Sequence, residues 1–141
     1  MTASSPAAAP ATTIAPFLMF QDARAEEAMN AYVALFPGSR VVAADRYGAG
    51  QPGPEGTLRL GVAEVAGQRL MFSDSFVKHA FDFTPSVSLF VTLASLEELE
   101  RVHAALAEGG ATLMPPGDYG FSRRCAWVND RFGVSWQLNV P

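Results

Sequence analysis

One order of hydrophobic periodicities runs along this chain twice, and that repetition limits the possible folds more than any single residue does. Ile14 to Phe20 is a short apolar run that suits a buried strand. Ala25, Ala28, Met29, Tyr32, Leu35 and Phe36 then recur at helical spacing, with Asp22 as the expected N-cap and Pro37-Gly38 as the stop. Strands are predicted over 40–47, 57–65 and 68–73, with a Gly/Pro-rich loop at 48–56 and a tight turn near Ala66-Gly67. Asp74 reads as a turn-former opening a longer connection over 74–85. Ser86 to Leu93 starts the order again. Ser95 and Glu98 make a capping box, and Leu99, Val102 and Leu106 give the buried stripe, which Gly109-Gly110 ends. Strands follow at 111–114, broken by Pro115-Pro116, and then at 122–128 and 134–140. The expected fold class is therefore α+β, with two βαβββ modules at about 14–74 and 86–140. Each module exposes a sheet face that needs a partner. Two half-sheets curving into one barrel-like sheet would enclose a cleft. An ordinary α+β sandwich whose halves are alike by accident is the alternative.

Composition narrows the function classes. A chain of 141 residues with 49% hydrophobic and 17% charged residues is globular and holds a single domain, expected over 13–141. Residues 1–12 are small or turn-forming and read as a disordered tail. They have neither the basic start nor the leucine-rich stretch of a signal peptide, so a cytoplasmic location is expected. The single cysteine excludes an internal disulfide framework and an all-cysteine zinc site. A net charge of −4 argues against nucleic acid and anionic membrane as partners, and no apolar run approaches the length of a membrane span.

Few residues offer reactive chemistry. His79, His103 and Asp74 share no ligand spacing on one helix or strand. His103 reads as a helix-border residue, and His79 as a loop residue that could rim a cleft. Cys125 follows Arg123 and Arg124, which could lower its pKa, but no histidine lies near it in sequence; a small packed hydrophobe is the other reading. Gly48-Ala49-Gly50 leads into Gln-Pro-Gly-Pro rather than a helix, so it does not read as a methyl-donor loop. Tyr119 and Phe121 could cover a cleft, and Trp127 and Trp136 read as core or cavity wall.

The segments Ile14–Phe20, Ala25-Glu26-Glu27-Ala28-Met29 with Tyr32, Phe36-Pro37-Gly38-Ser39, Gly109-Gly110, Cys125–Val128 and above all Asp130-Arg131-Phe132-Gly133-Val134-Ser135-Trp136-Gln137 carry a family resemblance. Over residues 13–141 the chain resembles the vicinal oxygen chelate superfamily of glyoxalase I, bleomycin-resistance proteins and extradiol dioxygenases. Within it, the chain resembles the PhnB-like branch, often labelled 3-demethylubiquinone 3-methyltransferase-like. Ala126 stands where that pattern usually has Gly. The resemblance implies a divalent metal held by two ligands from each module, a Lewis acid for two vicinal substrate oxygens. Mapped by strand position, the ligand places fall at Ala15, Phe72, Ser86 and Gln137. Ala and Phe cannot coordinate, and Ser and Gln are poor ligands for transition metals, so no metal and no cofactor is expected.

The expectation is a metal-free protein that binds a small molecule. By strand alternation, Phe17, Met19, Leu70 and Phe72 from the first module line the cleft. Ser86, Ser88, Phe90, Cys125, Trp127, Ser135 and Gln137 line it from the second. The alternative is an enzyme of the glyoxalase or dioxygenase type, a lyase or oxygenase working through an unrecognised metal set or Cys125. A cleft filled by core side chains, leaving a scaffold, is a third reading. A homodimer is expected, because sheet edges must be covered and a two-fold pair uses one patch on both chains.

Overall fold

The computed structural model describes residues 11–141. Its elements are β1 (Phe17–Phe20), α1 (Ala25–Leu35), β2 (Arg40–Arg46), β3 (Leu58–Val65) and β4 (Gln68–Asp74), then β5 (Ser88–Thr92), α2 (Leu96–Ala107), β6 (Ala111–Gly117), β7 (Arg124–Asn129) and β8 (Ser135–Val140). The βαβββ order occurs twice, as the periodicities predict. The sheets run β1-β4-β3-β2 and β5-β8-β7-β6, and in each the opening strand lies parallel to the last one. They remain two separate four-stranded sheets, so the barrel-like single sheet is corrected. The expected disordered tail falls largely outside the described residues. No described helix is long and apolar enough to cross a membrane.

Local chemistry explains most boundaries and corrects three. The β3–β4 turn places both Ala66 and Gly67 in the left-handed region, at φ 48° and 83°. Gly38 and Gly109 are likewise left-handed at the two matching helix exits. On α2, Ser95 Oγ accepts from the Glu98 N–H at 3.1 Å, while Glu98 Oε1 reaches back to the Ala94 N–H, also at 3.1 Å. This is the expected capping arrangement displaced by one residue. α1 differs. Asp22 is exposed and does not cap it; the chain turns at Ala23 (φ 56°), and Arg24 occupies the cap position with no side-chain bond. The acceptor comes from across the sheet: Asp74 Oδ1 takes the Ala25 N–H at 2.9 Å and Oδ2 takes the Leu58 N–H at 2.9 Å. Asp74 is thus a buried cap and not a turn-former. β6 runs through Pro115-Pro116 to Gly117, because it is an edge strand with shifted register, where missing N–H groups cost no ladder bonds.

α1 packs on β3 and β4, and α2 packs on β6, β7 and β8. The modules meet through α1. The Tyr32 ring lies edge-on to Trp136 at 4.9 Å, and Phe36 stacks on Trp136 at 5.7 Å. A buried carboxylate fixes this joint. Asp130 Oδ2 accepts from the Tyr32 hydroxyl at 2.5 Å and from Trp136 Nε1 at 2.9 Å. Its Oδ1 accepts the backbone N–H groups of Phe132 and Val134, at 2.9 and 3.0 Å. Four donors satisfy one buried charge. Arg24 and Arg131 cover the Phe132 ring, with guanidinium carbons 4.5 and 4.4 Å from its centroid.

Burial, and then the neighbouring Asp130 charge, push the Tyr32 hydroxyl well above the ordinary tyrosine pKa. The native state therefore keeps its proton above pH ~10, where an unfolded tyrosine ionises. This contribution to stability is complete below that pH and is lost as the pH rises beyond it. An ultraviolet titration should show one tyrosine ionising only together with unfolding. Tyr32→Phe should remove that step and cost about 1–2 kcal/mol in denaturant unfolding at neutral pH.

Candidate functional site

Strand register decides which residues can share a site. In the first sheet Leu18 pairs with Phe72, while Phe17 pairs with Met71 and Met19 with Ser73. Leu18, Phe20, Leu70, Phe72 and Asp74 are buried on the side of α1. Phe72 is 0% exposed, its ring 5.9 Å from Tyr32. Phe72 is therefore a core residue of the helix side and cannot share a face with Phe17 and Met19. The open face of this sheet carries Phe17, Met19, Met71 and Ser73.

In the second sheet the expected grouping holds better. Ser88 pairs with Ser135, Gln137 pairs with both Phe90 and Trp127, and Asn129 pairs with Ser135. These residues and Cys125 lie on the face opposite Trp136, Leu138 and Val140. Ser135 is the organising group there: its hydroxyl exchanges a hydrogen bond with Ser88 Oγ at 2.7 Å and accepts from Trp127 Nε1 at 2.9 Å. Phe90 is 62% exposed, and Gln137 is exposed as well. Ser86 precedes the strand and bonds Thr84 Oγ1 at 2.7 Å, away from this group.

Two adjoining cavities lie at the seam between the modules. A groove of about 390 Å³ runs along β5 from Ser88 to Thr92, over Phe36, Leu70 and Trp136. A second cavity of about 340 Å³ is lined by Phe17, Leu18, Phe83, Val87 and Ser135, and both share Pro16, Ser88 and Leu89. A third of about 250 Å³ lies between Phe17, Met19 and Phe81. The structure thus brings Phe17, Met19, Leu70, Ser88, Phe90 and Ser135 to cavities. Phe72, Ser86, Cys125, Trp127 and Gln137 line none of these three. Pro16, Phe36, Val91 and Trp136 line the large groove, although alternation along single strands gives no sign that they would.

Both histidines are held by structural hydrogen bonds. His103 Nε2 meets Thr112 Oγ1 at 3.0 Å, joining α2 to β6. His79 Nε2 meets Ser75 Oγ at 3.1 Å, its ring stacks on Phe81 at 4.7 Å, and its N–H donates to Gln21 Oε1 at 2.6 Å. This sets His79 against Gln21 and Phe81, which line the third cavity. Tyr119 is turned back on its own segment, donating to the Pro115 carbonyl at 2.5 Å. Among the described residues no group of three or more His, Cys, Asp or Glu side chains could hold a metal ion. The register also moves the mapped metal positions. Phe72 faces away from the cleft, and the neighbouring cleft-facing places hold Met71 and Ser73, neither a strong ligand for zinc, nickel or iron. The donor set does not fit the metal that the superfamily resemblance implies.

Comparison with known proteins agrees with this architecture. A family model described as 3-demethylubiquinone-9 3-methyltransferase matches residues 12–139. A PhnB protein from Bacillus cereus, described in the same terms, is 47% identical with a TM-score of 0.88, over 92% of this chain and 100% of its own. The protein PA1353 from Pseudomonas aeruginosa is 28% identical with a TM-score of 0.79, over 92% and 98%. A glyoxylase/bleomycin resistance protein/dioxygenase domain from Frankia shares the fold at 12% identity and a TM-score of 0.63, over 94% and 93%. No match was found among curated proteins. A family match across almost the whole chain, a near-half-identical PhnB structure and the paired βαβββ modules together place this chain in the PhnB-like 3-demethylubiquinone-9 3-methyltransferase family, with the fold of the glyoxylase/bleomycin resistance/dioxygenase domain.

Proposed function

We propose that this protein binds a small molecule at the seam between its modules without a metal ion, and that it does so as a homodimer. The observation that carries the reading is the donor chemistry of the strand faces at the seam. Phe17 opposite Met71, Ser88 opposite Ser135 and Phe90 opposite Gln137 offer no imidazole, thiolate or carboxylate. The same places supply what an organic ligand needs, apolar and aromatic surface with a few hydroxyls. The methyl transfer named in the family description requires a donor site, and the glycine-rich segment 48–56 leads from β2 into β3 rather than into a helix. An enzyme acting through Cys125 has less support. The residue is buried, and no hydrogen bond joins it to a histidine or acid among the described residues.

Dimerisation is supported by large apolar side chains left in solvent. Phe17 is 54% exposed, and Phe81 and Phe121 are more exposed still.

Elemental analysis of the purified protein should find well under one divalent ion per chain. Chelation should leave both folding and binding of an apolar fluorescent probe unchanged. A tightly held ion at one per chain would overturn the metal-free reading. Light scattering should give twice the 15.0 kDa chain mass at micromolar concentration. A 15.0 kDa species would overturn the dimer.

A further inference from the structure

The four sheet edges are not treated alike. β2 is an edge with Arg40, Asp45 and Arg46 along it and two register shifts. β6 is an edge with Pro115, Pro116 and two register shifts. Charges, prolines and bulges are the devices that stop an edge from pairing. β1 is an edge of four residues entered directly from Pro16. Like the shorter β1, β5 carries no charge, proline or bulge: Ser88-Leu89-Phe90-Val91-Thr92 has no charge and no proline, and its register with β8 is unbroken. Its N–H and C=O groups on the side away from β8 have no strand partner among the described residues.

That unguarded edge borders the groove of about 390 Å³. Side chains from both modules lie beneath it, Phe36 from the end of α1 stacked on Trp136 of β8 with Leu70 beside them, all three nearly fully buried. Leu89 and Val91 form one wall, and Gln68 stands at the rim. No charged side chain lines the groove, nor the 340 Å³ cavity that continues from it past Pro16. In a chain with 17% charged residues, an uncharged lining at the junction selects against ions, which would lose hydration there without gaining a partner. The volume lies within the range of small-ligand pockets.

We propose that this groove binds an uncharged, elongated, apolar molecule that lies along Leu89, Phe90 and Val91 and offers an amide-like donor–acceptor edge to β5. The inference rests on the small-molecule reading above and adds the place and the chemical class. Apolar surface of the ligand meets the Phe90 ring, which is 62% exposed, and the half-buried Leu89 and Val91, and its polar edge meets backbone groups that have no strand partner among the described residues. The net charge of −4 does not make the ligand cationic, because none of that charge lines the groove.

Two fluorescent probes with one skeleton test this, neutral N-phenylnaphthylamine and its anionic sulfonated relative anilinonaphthalenesulfonate. The neutral probe should bind saturably, one per chain, with emission sensitised by tryptophan, and the sulfonate should bind at least about tenfold more weakly. Gln68→Lys and Thr92→Lys change exposed side chains at the groove. Each should narrow that gap by about fivefold or more, since a cation there would pair with the sulfonate. Equal binding of the two probes, or a gap that neither lysine variant moves, would overturn the assignment to this groove and leave metal-free ligand binding standing. If neither probe binds saturably, both readings fall.

Discussion

One buried carboxylate determines how the halves of this molecule meet. Asp130 sits in the β7–β8 turn of the second module, and its four acceptor bonds take in Tyr32 from the helix of the first. A charge removed from water is tolerable only when such donors surround it. The same bonds therefore close the turn, orient the Trp136 indole and lock the helix against the second sheet. Arg24, donating to the Arg131 carbonyl at 2.9 Å, and Arg101, donating to the Leu35 carbonyl at 3.0 Å, tie the modules at two further points.

The seam and its cavities follow from that joint. Because Tyr32, Phe36 and Trp136 pack as one aromatic cluster, the floor of the large groove belongs to both modules and exists only when they are docked. The two opening strands then flank a gap without pairing with each other, and apolar lining collects there. Polar chemistry is left to Ser88, Ser135 and the backbone of β5. The side chains that line the large groove and the cavity continuing from it carry no charge.

Much of this was legible in the residues, and what was not has identifiable causes. Helical spacing, glycine exits and the capping box locate both helices, and alternation groups Ser88, Phe90, Trp127, Ser135 and Gln137 on one face. Alternation fails in the first module. Ile14–Phe20 and Leu70–Phe72 are nearly continuous apolar runs, and a shift of one residue moves every side chain to the other face. Phe72 is misplaced for that reason, and the metal position mapped onto it moves with it. Asp74 and Asp130 act on partners 49 and 98 residues away, so local turn statistics see only their first role. The groove, too, is built from the end of a helix, a turn and four strands, a combination that no local pattern contains.

The central claim is that the modules form one cooperative unit around the Asp130 joint. Native-state hydrogen exchange measured across increasing denaturant tests it on the unmodified protein. The account predicts that the slowest amides of α1 and β4 open at the same free energy, and with the same denaturant dependence, as those of β7 and β8. If one module's amides exchange through a clearly lower-energy opening while the other stays protected, the joint does not hold the fold together and the account is contradicted.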